Sequence, residues 1–153
     1  MFEINVGTQR STYDPVMVQP FRDEVTRVGV KELLTAEEVD NVVAMPGTTL
    51  VFVNSVCGCA AGMARPALGF IMQNGVLPDR VVSVFAGMEK DAVAKARNYF
   101  APYPPSSPSF GMIKDGKLVA ILERKNIEGR SAQMVAMDLL TMIETHCEQK
   151  VRS

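Results

Sequence analysis

One stretch limits the possible folds more than any other: TTLVFV at 48–53, which is followed closely by two cysteines, Cys57 and Cys59. A nearly unbroken run of apolar and β-branched residues is typical of a strand covered on both faces within a parallel or mixed sheet. The sequence after the cysteines has helical composition and spacing over 60–73. The cysteines are therefore predicted to lie at a turn between a buried strand and a helix.

The rest of the chain indicates helices and strands that alternate. The predicted helices are 15–28, 35–45, 60–73, 90–100 and 131–147. The predicted strands are a weak one at 30–34 and stronger ones at 48–53, 81–85, 110–114 and 117–123. Asp115-Gly116 between the last two strands is a strong signal for a two-residue hairpin. The expected fold class is α/β, with a central mixed β-sheet flanked by helices in the element order of thioredoxin-like folds, plus an added N-terminal helix.

Length and composition limit the number of domains, the partners and the cellular location expected for the chain. With 153 residues, 47% of them hydrophobic and 22% charged, residues 1–153 are expected to form a single domain. The net charge of −1 and the scattered basic residues argue against nucleic acid as a partner. The sequence contains neither a leader pattern nor a run of about 20 apolar residues, so no membrane association is expected. Three cysteines are no framework for a secreted domain, which favours the cytoplasm.

The cysteine pair is suited to redox chemistry. The thiolate, rather than the thiol, attacks disulfides, so a redox cysteine needs a pKa lowered toward the ambient pH. Cys57 lies just before the predicted helix, where unpaired backbone N–H groups and the helix dipole favour a negative sulfur. We therefore predict a lowered pKa for Cys57.

Cys59 follows Cys57 after only Gly58. Glycine permits the backbone angles that the tight ring of a Cys-Gly-Cys disulfide needs. Such a disulfide is expected to be strained and easily reduced, which suits disulfide transfer or isomerisation more than strong reduction. Alternatively, Cys59 resolves mixed disulfides formed on Cys57.

Ser107-Pro108-Ser109 stands immediately before the predicted strand 110–114. In a thioredoxin-like fold this is the position of a cis proline that faces the reactive cysteine. On that basis Pro108 is predicted to shape the substrate groove. Outside that fold, a rigid loop proline is a sufficient explanation.

Several longer motifs connect the chain with one family. They are TAEEVDN at 35–41, TTLVFVNSVCGCAAG at 48–62, VFAG at 84–87, APYPPSSPSFGMIKDGK at 101–117, IEGR at 127–130 and the ending His146-Cys147. Through these motifs the chain closely resembles the bacilliredoxin family over most of its length.

The resemblance implies a thioredoxin-like fold and removal of bacillithiol, a small cysteine-containing thiol, from mixed disulfides on other proteins. Disulfide isomerase activity is also associated with such proteins. By motif position, Cys57 is expected to be the nucleophile and Cys59 the partner that closes the internal disulfide. The implied partners are bacillithiolated or disulfide-containing client proteins and a low-molecular-weight thiol, with bacillithiol as a co-substrate and no other cofactor. The single residue between the cysteines and the lack of Trp before them depart from ordinary thioredoxins and put strong reductase activity in doubt.

Three alternatives remain at this stage. A general disulfide isomerase or oxidase would use the same cysteines without bacillithiol. A metal-binding module would combine them with His146 and Cys147, although structural zinc usually shows two spaced ligand pairs. A Cys–His hydrolase would need His146, the single histidine, which is predicted at a helix end remote from Cys57.

Arg65 lies in the helix that follows the cysteines. It could hold the thiolate or an anionic thiol ligand, but a solvated helix face is the preferred interpretation. Arg65 is therefore left out of the catalytic set.

Overall fold

The computed structural model describes residues 11–147, so residues 1–10, used above to judge targeting, lie outside the described part. The helices are α1 (Pro15–Thr26), α2 (Ala36–Val43), α3 (Arg65–Ile71), α4 (Lys90–Tyr99) and α5 (Ala132–His146). The strands are β1 (Lys31–Glu32), β2 (Thr48–Asn54), β3 (Arg80–Phe85), β4 (Ser109–Lys114) and β5 (Lys117–Leu122). Among the described helices, none combines the length and the apolarity needed to cross a bilayer.

The five strands form one mixed sheet in the order β1-β3-β2-β4-β5. Strand β3 runs parallel to both of its neighbours, whereas β4 is antiparallel to β2 and to β5. The predicted α/β class with a mixed sheet is thus confirmed. The predicted hairpin is confirmed as well, because Asp115 and Gly116 both have positive φ, at 50° and 84°, as a two-residue turn of this type requires.

Strand β2 is the centre of the fold, and all seven of its residues are buried. Leu50 and Phe52 belong to the core beneath α3 and α5, while Val51 and Val53 belong to the core beneath α2 and α4. Phe52 also stacks on Phe110 of β4, with ring centroids 4.6 Å apart. Because helices cover both faces of the sheet, the strand shows no alternation of apolar and polar residues.

Capping residues begin two of the helices where the sequence predicts. The Asp14 side chain accepts a hydrogen bond from the Val16 N–H at 2.8 Å, and the Thr35 hydroxyl accepts one from the Glu38 N–H at 3.0 Å. Each bond satisfies a backbone donor that has no partner within its helix. Helix α1 ends slightly before the predicted stop at Gly29, whose φ is 103°.

The helix after the cysteines differs from the single helix predicted over 60–73. A π-helical turn comes first, with the Arg65 N–H bonded to the Ala60 carbonyl, and α3 follows it. Pro66 has no N–H to give to the carbonyl of Gly62, and its ring would press on that carbonyl in a regular α-helix. The wider turn relieves this conflict.

The added N-terminal helix predicted from the sequence is α1, which a buried arginine anchors to the rest of the fold. Arg22 is 8% exposed. Its guanidinium donates hydrogen bonds to Glu32 on β1 and to Glu89, the latter at 2.7 Å. It also lies 5.2 Å from the centre of the Phe85 ring. These contacts join α1 to the β1 side of the sheet.

Candidate active site

The two cysteines lie at the carboxyl end of β2, at the predicted strand-to-helix turn. Side-chain oxygens fix the chain where it leaves the strand. The Ser55 N–H donates to Asn54 Oδ1 at 2.8 Å, and the Cys57 N–H donates to Ser55 Oγ at 3.1 Å. These local bonds replace the sheet partners that the strand no longer has. The turn that carries Cys57 is therefore well defined.

The two sulfurs are in direct contact. Cys57 Sγ and Cys59 Sγ are 2.8 Å apart and both belong to free cysteines. The Cys59 N–H also points to Cys57 Sγ, at 3.2 Å. Cys57 is half-buried and Cys59 is only 7% exposed. Cys57 is therefore the more accessible of the two sulfurs.

The surroundings of Cys57 favour its thiolate. Burial opposes ionisation, but hydrogen bonds from the Cys59 thiol and from the backbone N–H groups of Cys59 and Ala60 outweigh it. The positive charge of Arg124 adds to these bonds, and the pKa of Cys57 falls below its ordinary value. The direction agrees with the sequence-based expectation that a helix start stabilises a sulfur anion.

Cys59 has the opposite tendency. Burial raises the pKa of Cys59, and both its hydrogen bond to Cys57 and the charge of the Cys57 sulfur raise it further. Two interacting groups of this kind lose their protons in separate steps. The first proton leaves Cys57, while Cys59 keeps its proton and donates it to the neighbouring sulfur.

Arg124 is a site residue that the sequence analysis missed. It begins the 3₁₀ turn Arg124–Asn126 after β5, and its side chain is 43% exposed. Its backbone N–H donates to Ser106 Oγ at 3.2 Å, and its guanidinium lies 3.5 Å from Glu128. The charge of Arg124 acts on the sulfurs of both cysteines.

The strand register explains how Arg124 reaches the site. Ser109 of β4 pairs with Val53 near the carboxyl end of β2, and Phe110 pairs with Leu122 at the end of β5. The chain that follows β5 is thus level with the cysteine turn. The predicted hairpin aligns β5 with β4. The position of Arg124 beside the cysteines also requires the pairing of β4 with β2, which the hairpin alone does not predict.

Pro108 precedes β4 at this same edge of the sheet. The Ser107–Pro108 peptide bond is cis, and Ser109 pairs with Val53, which places Pro108 beside the chain that leaves β2. Pro108 itself is buried. A role for it in the substrate groove remains a prediction, and contact with a client would involve the backbone next to its ring.

Arg65 is where the sequence interpretation is wrong. Instead of a solvated helix face, it has a buried position with only 3% exposure. Its guanidinium contacts Glu24 and the Ser55 carbonyl and lies over the ring of Phe21. The reason is tertiary: α1 packs over the start of α3 and covers a position that local spacing would leave in solvent.

The other end of β2 holds His146 and Cys147. Cys147 is hydrogen-bonded to Thr48, the first residue of the strand, whereas Cys57 and Cys59 follow its last residue. At about 3.3 Å per residue, the strand separates the two ends by about 20 Å. The four-ligand metal site and the Cys–His hydrolase considered above are therefore not assembled. Within residues 11–147, no three His, Cys, Asp or Glu side chains are grouped as metal ligands.

Known proteins resemble this chain in sequence or in fold. A family model described as disulphide isomerase matches residues 13–147. Bacilliredoxins of Staphylococcus aureus strains NCTC 8325 and MRSA252 are each 48% identical to the chain over 134 residues, which are 88% of this chain and 92% of those proteins. A mutant thioredoxin of Halobacterium salinarum gives a TM-score of 0.56 at 17% identity, over 81% of this chain and 96% of that one. Fasciola hepatica thioredoxin gives 0.55 at 19% identity, over 76% and 99%.

A thioredoxin-like fold with two cysteines in contact after its central strand defines a thiol–disulfide oxidoreductase. Within that class, the sequence identity decides the family. The chain belongs to the bacilliredoxin family, which confirms the resemblance seen in its motifs.

Proposed function

We propose that this oxidoreductase removes bacillithiol from mixed disulfides on other proteins, with Cys57 as the nucleophile and Cys59 as the resolving thiol. The observation that carries the proposal is the asymmetry of the sulfur pair. The more accessible sulfur, Cys57, has a lowered pKa, and the thiol of Cys59 lies 2.8 Å from it. Support for bacillithiol itself comes from the names of the relatives at 48% identity.

In the first step, the Cys57 thiolate attacks the bacillithiol sulfur of the mixed disulfide. The bond between the client sulfur and bacillithiol breaks, and the client leaves as a thiolate that takes a proton from water. A new disulfide joins Cys57 to bacillithiol. Thiolate attack with a mixed-disulfide intermediate is the general route of thiol–disulfide exchange.

In the second step, Cys59 loses its proton to water and attacks the Cys57 sulfur. The bond between Cys57 and bacillithiol breaks, the internal disulfide closes and bacillithiol leaves as a thiolate. Burial and the charge on Cys57 both keep the Cys59 thiol protonated beforehand. Once Cys57 is in a mixed disulfide, its negative charge is gone and one cause of the raised pKa of Cys59 goes with it. Cys59 therefore becomes easier to ionise at the stage when it is needed. Two molecules of an external thiol then reduce the internal disulfide by two electrons: the first forms a mixed disulfide with one cysteine, and the second releases it as the disulfide of the external thiol.

Mass spectrometry on matched variants tests this sequence of steps. The reduced protein is incubated with a bacillithiol-modified client, as wild type and as the variants Cys57→Ala and Cys59→Ala. The Cys59→Ala protein is expected to accumulate one bacillithiol adduct on Cys57, because the resolving step is blocked. The Cys57→Ala protein should leave the client modified.

Two outcomes would count against the proposal. An adduct that forms on Cys59 in the Cys57→Ala protein as fast as on Cys57 would reverse the assigned roles. A client that stays modified with every version of the protein would exclude bacillithiol transfer. The protein would then remain a thiol–disulfide oxidoreductase with another substrate.

A general disulfide isomerase is the second candidate, because the matching family model carries that description. It would use the same thiolate on protein disulfides with no small thiol. Reactivation of a scrambled disulfide protein in the absence of bacillithiol measures this activity. An isomerase depends chiefly on Cys57, so the Cys59→Ala variant should retain reactivation, whereas Cys57→Ala should lose it.

A further inference from the structure

Arg65 has an unusual position for a residue next to a redox pair. It lies at the junction of the π-helical turn and α3, and its side chain is 1% exposed. Burying a guanidinium is costly unless its donors are paired. The contacts that offset this cost therefore show which parts of the fold Arg65 connects.

Those contacts connect α1 with the turn that carries the cysteines. Arg65 Nε donates to Glu24 Oε1 at 2.8 Å, and the guanidinium carbon lies 4.6 Å from the centre of the Phe21 ring. On the opposite side, Nη1 donates to the Ser55 carbonyl at 2.7 Å and to Asn54 Oδ1 at 3.0 Å. One side chain thus joins the added N-terminal helix to the residues just before the redox pair.

The contacts fix the peptide groups on both sides of Ser55. Its N–H donates to Asn54 Oδ1 at 2.8 Å and its carbonyl accepts from Arg65. With the backbone held on both sides, Ser55 Oγ accepts the Cys57 N–H at 3.1 Å. A continuous set of hydrogen bonds therefore leads from Arg65 through Ser55 to the backbone of Cys57.

The cation whose charge lowers the pKa of Cys57 is Arg124, whereas the hydrogen bonds of Arg65 on this side go to Asn54 and to the Ser55 carbonyl. One donor of Arg65, Nη2, is buried and has no hydrogen-bond partner among the described residues.

We propose that Arg65 is a positioning residue for Cys57: by holding the Ser55 carbonyl, it keeps the turn in which the Cys57 sulfur faces the backbone N–H groups at the start of the helix. The inference rests on the proposed role of Cys57 as the reacting thiolate. Without Arg65, the turn relaxes, the N–H groups lose their alignment with the sulfur, and the thiolate forms less readily at neutral pH.

Arg22 offers a matched control within the same chain. Like Arg65 it is a buried arginine, it pairs with carboxylates and it lies over a phenylalanine ring. Its acceptors are Glu32 and Glu89, and neither belongs to the cysteine turn. Replacement of Arg22 therefore reproduces the loss of a buried ionic anchor of α1 without touching Ser55.

The experiment measures alkylation of Cys57 in the reduced full-length chain as a function of pH, with peptide mapping to separate the three cysteines. Arg65→Met is expected to slow alkylation at neutral pH about three- to tenfold and to move the profile to higher pH. Arg65→Lys keeps the charge and one of the hydrogen bonds, so it should recover part of the rate. Arg22→Met should lower the melting temperature but leave the Cys57 profile in place.

An unchanged profile in a folded Arg65→Met protein, or an equal shift in Arg22→Met, overturns the proposal. If Arg65→Met does not fold, Arg65→Lys decides, because one ammonium group cannot replace both donors that join Glu24 to the Ser55 carbonyl. A smaller upward shift then supports the proposal, and an unchanged profile rejects it. A wild-type Cys57 that ionises like an ordinary thiol would reject the proposed function too. A low wild-type profile that no variant moves rejects only the role of Arg65.

Discussion

Cys57 and Cys147 are two thiols at opposite ends of the same strand, and their surroundings favour opposite protonation states. After the carboxyl end of β2, hydrogen bonds and the charge of Arg124 overcome burial and lower the pKa of Cys57. Beside the first residue of β2, burial raises the pKa of Cys147. There the bond to Thr48 and the charge of Lys114 act against burial, but the charge of Asp79 adds to it.

The direction of the neighbouring helix explains much of the difference. Cys57 precedes a helical segment, where backbone N–H groups lack partners within the helix. Cys147 follows the last residue of α5, where carbonyl groups and the negative end of the dipole disfavour an anion. Burial of a sulfur is thus compatible with either state, and the available donors decide which one is stable.

The largest expected effect comes from removing each thiol in turn. Cys57→Ala should reduce transfer of bacillithiol to the background rate, because the attacking sulfur is gone. Cys147→Ala should leave the transfer rate within about twofold of wild type, since the thiol lies about 20 Å away along β2. The measurement is the initial rate of client release. A large loss in Cys147→Ala would mean that the two ends of the strand are not independent.

The pH dependence of alkylation sharpens the same contrast. Because the pKa of Cys57 is lowered and that of Cys147 is raised, modification of Cys57 should begin at a lower pH than that of an ordinary thiol, and modification of Cys147 at a higher one. Short pulses of iodoacetamide between about pH 5 and pH 10, followed by peptide mapping, measure both profiles. Coinciding profiles would contradict the comparison.

The sequence predicts the features that depend on neighbours along the chain. The apolar run at 48–53 predicts a strand buried on both faces, since no polar face interrupts it. Asp14 and Thr35 predict helix starts because their side chains satisfy nearby backbone donors. The position of Cys57 and Cys59 at the turn follows from the same local pattern.

The residues that the sequence does not reveal are set by contacts between distant segments. Arg65 occupies a helix position that looks solvated until α1, with Phe21 and Glu24, packs over it. Arg124 reaches Cys57 only through the alignment of β5 with β4 and of β4 with β2. Neither arrangement leaves a periodic signal in the sequence. The wrong prediction that Arg65 is solvated and the omission of Arg124 therefore have the same cause, namely contacts between segments that are distant in the sequence.

Replacement of Arg124 is expected to have a smaller effect on the reactivity of Cys57. Arg124→Ala should slow alkylation of Cys57 at neutral pH by about two- to fivefold, the size expected for a partly exposed charge. Added salt should produce part of this loss in the wild type and little further change in the variant. Lys125→Ala is the matched control, because Lys125 is the adjacent cation and its side chain is 77% exposed. Equal effects of the two variants would show that the general electrostatic field of nearby cations, rather than Arg124 specifically, lowers the pKa of Cys57.

Gly58 is expected to give the smallest effect on the folded dithiol form. It is exposed, its φ is not positive, and an added Cβ would meet no atom within 4 Å. The freedom of glycine is therefore not used while the cysteines are reduced. Gly58→Ala should change the stability of the reduced protein by less than about 1 kcal/mol.

The same variant should destabilise the internal disulfide if the tight Cys-Gly-Cys ring requires a positive φ at residue 58. A side chain forced into the left-handed region costs about 1–2 kcal/mol, which would make the disulfide easier to reduce and raise the reduction potential by about 20–40 mV. Redox titration measures this shift, with Gly62→Ala as the control, since Gly62 is equally open but lies outside the ring. An unchanged potential would mean that the disulfide closes with ordinary backbone angles at Gly58.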